Sequence, residues 1–121
     1  MKVLFDTNAL LMPFEFKADP YEGVKNLIPD AELITLRECV EELKGLKPEK
    51  WENILSIGIN KGLKIVESEI RGLPVDDIIV RYAKTHHCLV LTQDKFLKKK
   101  LLNNSLRLVV LRQKKYFIIT G

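Results

Sequence analysis

The sequence predicts a three-layer α/β/α sandwich around a mainly parallel sheet, in one domain spanning residues 1–121, closed by a C-terminal β-hairpin. Two observations predict it. Short apolar runs of strand length alternate with stretches of helical periodicity, the pattern of βα units. The two sharpest apolar runs, Val3–Phe5 and Leu89–Thr92, each lead within two residues to an aspartate that stands at a helix start. In open α/β sheets, ligands bind at the carboxyl ends of the strands.

The elements follow in order. Met1 to Phe5 is apolar apart from Lys2 and reads as a buried strand. Thr7 or Asn8 can cap the helix begun by Ala9, Leu10 and Leu11, which Pro13 is expected to interrupt. Phe14, Phe16 and Tyr21 fall in an aromatic-rich connection, and a second helix is expected from Pro20 or Tyr21 to Leu27. Leu33-Ile34-Thr35 is the second strand. Leu36 to Leu46 is helical by period, and Pro48 opens a further helix that Gly62 ends. Leu63 to Val66 is the third strand, and Asp76-Asp77 opens the helix of Ile78, Ile79 and Tyr82. Cys88 to Thr92 is the fourth strand, and Asp94 starts the helix of Phe96, Leu97 and Leu101. Leu106–Leu111 and Tyr116–Ile119 flank the basic turn Arg112 to Lys115 as a hairpin.

Composition narrows the class. The chain is 46% hydrophobic and 30% charged, as a globular domain is, and no apolar run approaches a membrane span. The N-terminus lacks the pattern of a signal peptide, so a cytoplasmic location is expected. Cys39 and Cys88 form no metal spacing and read as two buried thiols. The net charge of +4 is uneven: residues 95–121 hold eight Lys and Arg and no acid, leaving 12 basic against 16 acidic residues in 1–94. An acidic body with a basic C-terminal quarter suits a polyanion bound beside a cation. The plain alternative is that these lysines only keep a helix and an edge hairpin soluble.

Asp6 and Asp94 should emerge at one rim if their strands are parallel. On the Leu36–Leu46 helix, Glu42 falls at about 240° from Leu36, on the shoulder of the apolar stripe, whereas Glu38 and Glu41 are expected to face solvent. Asp76 and Asp77 sit at a helix start, where a helical wheel does not choose between them. Carboxylates converging at one rim repel unless cations neutralise them, and oxygen-only donors suit Mg²⁺ or Mn²⁺. Such an ion supports phosphodiester hydrolysis. Each carboxylate also has a bland reading, as a helix cap or a solvated boundary residue. His86-His87 sits at a helix C-terminus, where a capping role is favoured over that of a base.

Taken together, Val3-Leu4-Phe5-Asp6-Thr7-Asn8, Val40-Glu41-Glu42-Leu43, Asp76-Asp77-Ile78-Ile79 and Leu89-Val90-Leu91-Thr92-Gln93-Asp94 resemble the PIN-domain nucleases over nearly the whole chain. The stretch from Asp6 to Phe16, with its Pro-aromatic piece, is similar to the branch that includes the rRNA-processing nuclease of the small-subunit processome and its archaeal relatives. The resemblance implies a Mg²⁺- or Mn²⁺-dependent endoribonuclease with Asp6, Glu42, Asp77 and Asp94 as catalytic metal ligands. Asn8 and Thr92 would support them, and Asp76 would replace or assist Asp77. Lys95, Lys98 and Lys99 would meet RNA phosphates. Partners implied are an RNA substrate, a second copy in a homodimer, and a ribosome-assembly factor or an antitoxin. Competing readings are a toxin-type ribonuclease, a catalytically silent RNA-binding domain, and, less well matched, an acidic-pocket phosphotransfer domain.

Overall fold

The computed structural model describes residues 1–121. Its centre is a six-stranded sheet in the order β3-β2-β1-β4-β5-β6. The strands are β1 (Lys2–Phe5), β2 (Glu32–Leu36), β3 (Lys64–Val66), β4 (Leu89–Leu91), β5 (Leu108–Arg112) and β6 (Tyr116–Thr120). All neighbours pair in parallel except β5 and β6, which form the expected antiparallel hairpin with Val110 opposite Ile118. Parallel strands need crossover connections, and helices supply them. They are α1 (Thr7–Glu15), α2 (Pro20–Leu27), α3 (Arg37–Leu43), α4 (Pro48–Asn60), α5 (Val75–His86) and α6 (Lys95–Asn103).

Side chains alternate across the sheet, so each strand feeds two cores. Val3, Phe5, Leu89, Leu91 and Val109 pack on one face with Leu10, Tyr21 and Ile54 from α1, α2 and α4. Leu4, Ile34, Val90 and Leu108 pack on the other with Ile79, Ala83 and Leu101 from α5 and α6. The three layers are those the sequence predicts. Tyr21 belongs to the first core, its ring stacked on Phe5 at 5.0 Å between centroids.

Some boundaries move. Pro13 lies inside α1 and does not interrupt it. Ala9, Leu10 and Met12 are fully buried, and that burial carries the helix past the one hydrogen bond proline cannot donate. α3 starts at Arg37 and stops at Leu43, three residues short of the periodic stretch, because Lys44 and Gly45 turn the chain. β4 covers only the centre of the expected Cys88–Thr92 run. His87 caps α5 in the left-handed conformation at φ 54°, and His86 stacks on Tyr82, so neither faces the strand-end rim.

The strand order reverses between β1 and β4, the two strands that lead to Asp6 and Asp94. Adjacent parallel strands whose connections diverge to opposite faces leave a crevice beyond their carboxyl ends. That crevice positions the site.

Candidate active site

Asp6 forms the floor. It caps α1: its Oδ1 accepts the Ala9 N–H at 2.7 Å, and its own N–H reaches the Leu91 carbonyl at 3.4 Å. Oδ2 accepts the Thr92 hydroxyl. Thr92 in turn accepts the Asp94 N–H at 3.0 Å, so one hydroxyl ties the ends of β1 and β4 together. The Asp6 side chain is buried, at 4% exposure. Burial pushes its pKa up to about 7, and its hydrogen bonds to Thr92 and Ala9 only partly offset this. The nearby charges of Asp94 and Asp76 add to the rise. Desolvation disfavours the charged form, and like charges reinforce it. The floor is thus rigid and short of positive charge.

Glu42, Asp76 and Asp94 form the rim above it, with Thr7, Asn8 and Ile79, around a cleft of about 310 Å³. Glu42 reaches in from α3 because Thr7 donates its hydroxyl to Glu42 Oε1 at 2.6 Å. Asp94 caps α6 through Oδ1, which accepts the Leu97 N–H at 2.9 Å. The Asp76 pKa is raised, first by burial and then by Asp94; Lys100 opposes the shift, while Glu42 and Asp77 add to it. Four carboxylates feel one another across a single cleft.

Of the residues singled out in the sequence, Asp6, Asn8, Glu42 and Asp94 line this one cleft, and Thr92 adjoins it through its bond to Asp6. The aspartate doublet resolves the other way from the expected lead residue: Asp76 lines the cleft, and Asp77 does not. Asp77 turns outward, pairs with Lys100 at 3.0 Å, and lines a separate surface hollow with Leu73 and Arg81. Consecutive residues at a helix start diverge by about 100°. Glu38 also departs from expectation. It is half-buried, and Ser68 donates its hydroxyl to Glu38 Oε2 at 2.6 Å.

Three contributors escape a search for acids. Thr7 orients Glu42. Thr35 donates its hydroxyl to the Phe5 carbonyl at 2.8 Å and braces the strand end beneath Asp6. The only sequence signal for Thr35 is a polar residue ending an apolar strand. Cys39 is buried close to Asp6 and Glu42. Its thiol is pushed up to about 12, mainly by burial, so it stays protonated and serves as packing.

Lys95, Lys98 and Lys99 ride the first turns of α6, directly after Asp94. Lys95 and Lys99 are exposed and Lys98 is half-buried. A larger hollow of about 790 Å³ adjoins the cleft through Glu42, but its other walls carry Glu38, Glu41, Glu67 and Glu69. Arg37 there is held by Glu67 at 3.2 Å. The smaller cleft, where desolvated and mutually repelling acids meet, is the better place for chemistry.

No group of three or more His, Cys, Asp or Glu is drawn together as a ready-made metal site. The donor set nevertheless fits a hard cation. All donors are oxygens, two of the four acids have raised pKa values, and the opening is wide enough for bound waters. Mg²⁺ characteristically keeps several waters and uses one or two carboxylates.

Residues 3–114 match the family described as "PIN like domain". Ribonuclease VapC4 of Methanocaldococcus jannaschii is 35% identical over 129 residues, covering 99% of this chain and 97% of that protein. Among solved structures, the PIN domain endonuclease Utp24 superposes with a TM-score of 0.82 at 21% identity, over 98% of this chain and 90% of that one. VapBC2 from Rickettsia felis, solved bound to a DNA fragment from its promoter, gives 0.61 at 15% identity over 82% and 92%. These two structural likenesses speak to the fold alone.

Proposed function

The chain belongs to the PIN-like domain family of nucleases, and from that premise we propose that it is a Mg²⁺- or Mn²⁺-dependent endoribonuclease that hydrolyses RNA phosphodiester bonds. The observation that carries the proposal is the cleft at the β1/β4 switch point, where Asp6, Glu42, Asp76 and Asp94 crowd without a cation of their own. Asp6, Glu42, Asp76 and Asp94 would hold the metal, with Asp77 outside the ligand set. When bound, the ion lowers the pKa of a coordinated water and stabilises charge building on the phosphate.

The remaining work belongs to the chain. The Ala9 N–H and the Thr92 hydroxyl fix both oxygens of Asp6, so a ligand meets a carboxylate already in position. Thr7 swings Glu42 inward. Asp94 spends Oδ1 on its helix cap and leaves Oδ2 for the cleft. Asn8 can offer an amide to a phosphate oxygen at the mouth. Lys95, Lys98 and Lys99 supply the positive flank an RNA backbone needs.

A role in rRNA processing or RNA quality control, with a ribosome-assembly partner, is the reading taken from the Asp6–Phe16 stretch. The similarity to VapC4 favours a second reading, a toxin-type ribonuclease held by an antitoxin. Growth arrest on expression, relieved by Asp6→Asn, would select the second.

The enzymatic proposal is tested by incubating structured and single-stranded RNA with Mn²⁺ and the wild type, Asp6→Asn or Asp94→Asn. Endonucleolytic cleavage is expected from the wild type alone. Equal cleavage by all three, or none by the wild type, overturns it.

A further inference from the structure

The helices that bring the four acids to the cleft are anchored in two ways. α1 and α6 are capped by Asp6 and Asp94 themselves. α3 and α5, which carry Glu42 and Asp76, have no side-chain cap at their N-termini. An uncapped helix start needs restraint from elsewhere if a side chain near it is to keep its place.

That restraint continues the sheet. β2 and β3 pair in register up to Leu36 opposite Val66. The backbones then part as α3 begins, but side chains keep the next two pairs of the same register. Arg37 Nε meets Glu67 Oε1 at 3.2 Å, and Ser68 donates its hydroxyl to Glu38 Oε2 at 2.6 Å. The first pair is exposed and contributes little alone. The second is sheltered, with Ser68 buried and Glu38 half-buried. Ser68 Oγ also accepts the Ile70 N–H at 3.1 Å, across Glu69 in the left-handed conformation at φ 62°. The same hydroxyl therefore shapes the start of the connection to α5. Ile70, Leu73 and Val75 seat that connection on the second core. On the other side of the bond, Glu38 stands one turn before Glu42 on α3.

We propose that the Ser68–Glu38 bond is a brace that sets the separation of Glu42 and Asp76 across the cleft, which makes Ser68 and Glu38 positioning residues for the divalent ion. One hydroxyl joins the first turn of α3 to the loop that feeds α5. The arrangement is held against a penalty, because Glu38 Oε1 is buried with no partner. Without the Ser68 hydroxyl neither oxygen has a donor, so the carboxylate turns out to water and α3 is released from the loop. The inference rests on the ribonuclease reading and adds two residues outside its ligand set.

The test titrates Mn²⁺ calorimetrically into the full chain without RNA, well below the melting temperature of each variant. Ser68→Ala and Glu38→Ala are each expected to weaken Mn²⁺ binding about tenfold. The double variant is expected to bind no more weakly than either, because the same bond is lost once. Glu38→Gln keeps an oxygen for Ser68 and is expected to stay within about twofold of wild type, a rescue that general loss of stability would not produce. Wild-type affinity in Ser68→Ala overturns the proposal. So does Glu38→Gln as weak as Glu38→Ala, since the ion would then sense the Glu38 charge and not its bond. If Ser68→Ala does not fold, the two Glu38 variants decide alone. A wild type that binds Mn²⁺ and cuts RNA, with Ser68→Ala its equal in both, sinks this inference alone. One that neither binds Mn²⁺ nor cuts RNA removes the ribonuclease reading with it.

Discussion

The floor and the rim of the cleft are built on different terms. At the floor, Asp6 is buried and both of its oxygens have fixed donors, in a position set by the pairing of β1 with β4. At the rim, Glu42, Asp76 and Asp94 are half-buried or exposed and lean in from three helices. Folding holds the floor against an electrostatic cost, whereas the rim depends on whichever neighbours restrain each side chain. The floor should therefore respond to substitution in both stability and activity, and the rim mainly in activity.

The largest effect should come from Asp6→Asn. Its loss of cleavage should exceed the tenfold to about hundredfold typical of residues that merely support a metal ligand. The same substitution should stabilise the metal-free protein. The unfolded chain releases this proton near 3.8, but the folded one keeps it to about 7. Between those values the native state binds more protons, so wild-type stability falls as pH rises through that window and levels off above it. Asn at position 6 removes that slope. The variant should gain up to about 4 kcal/mol over wild type above pH 7 and nothing near pH 4. Melting in a chelating buffer across that range checks the sign, and parallel curves for the two proteins would contradict it.

A middle-sized effect should separate two neighbours on the rim. Asp76→Asn should lower cleavage more than tenfold with little change in melting. Asp77→Asn should leave cleavage near wild type and cost at most about 1 kcal/mol for its exposed pair with Lys100. Reversed ranking in a steady-state assay would place the wrong aspartate in the cleft.

The smallest effect belongs to Thr7. Thr7→Val frees Glu42 without removing it, so cleavage should fall only a few-fold, with a higher Mn²⁺ requirement. A loss as deep as that of Asp6→Asn would mean that Thr7 belongs to the floor.

Most of the architecture was readable because strand ends and helix starts carry local signals. Asp6 and Asp94 follow apolar runs, and both turn out to cap helices. Glu42 could be picked from its shoulder position on a periodic helix. The doublet could not be resolved, because Asp76 and Asp77 stand in the first turn of α5, where direction depends on how that helix docks. Pro13 misled for a related reason: local chemistry argues for a break, but the buried residues around it decide otherwise. Glu38 and Thr35 were hidden because their partners, Ser68 and the Phe5 carbonyl, are 30 residues away in sequence.

The paired hydrogen bonds between the Gln93 amide and Leu111 make the last quarter of the chain structural support for the acidic cleft. Asp94 is braced from behind by a strand that follows it in the chain. A chain cut short before residue 108 would hold every acidic group of the cleft, still tied through Thr92, yet lack the Leu111 bonds that brace Asp94 from behind.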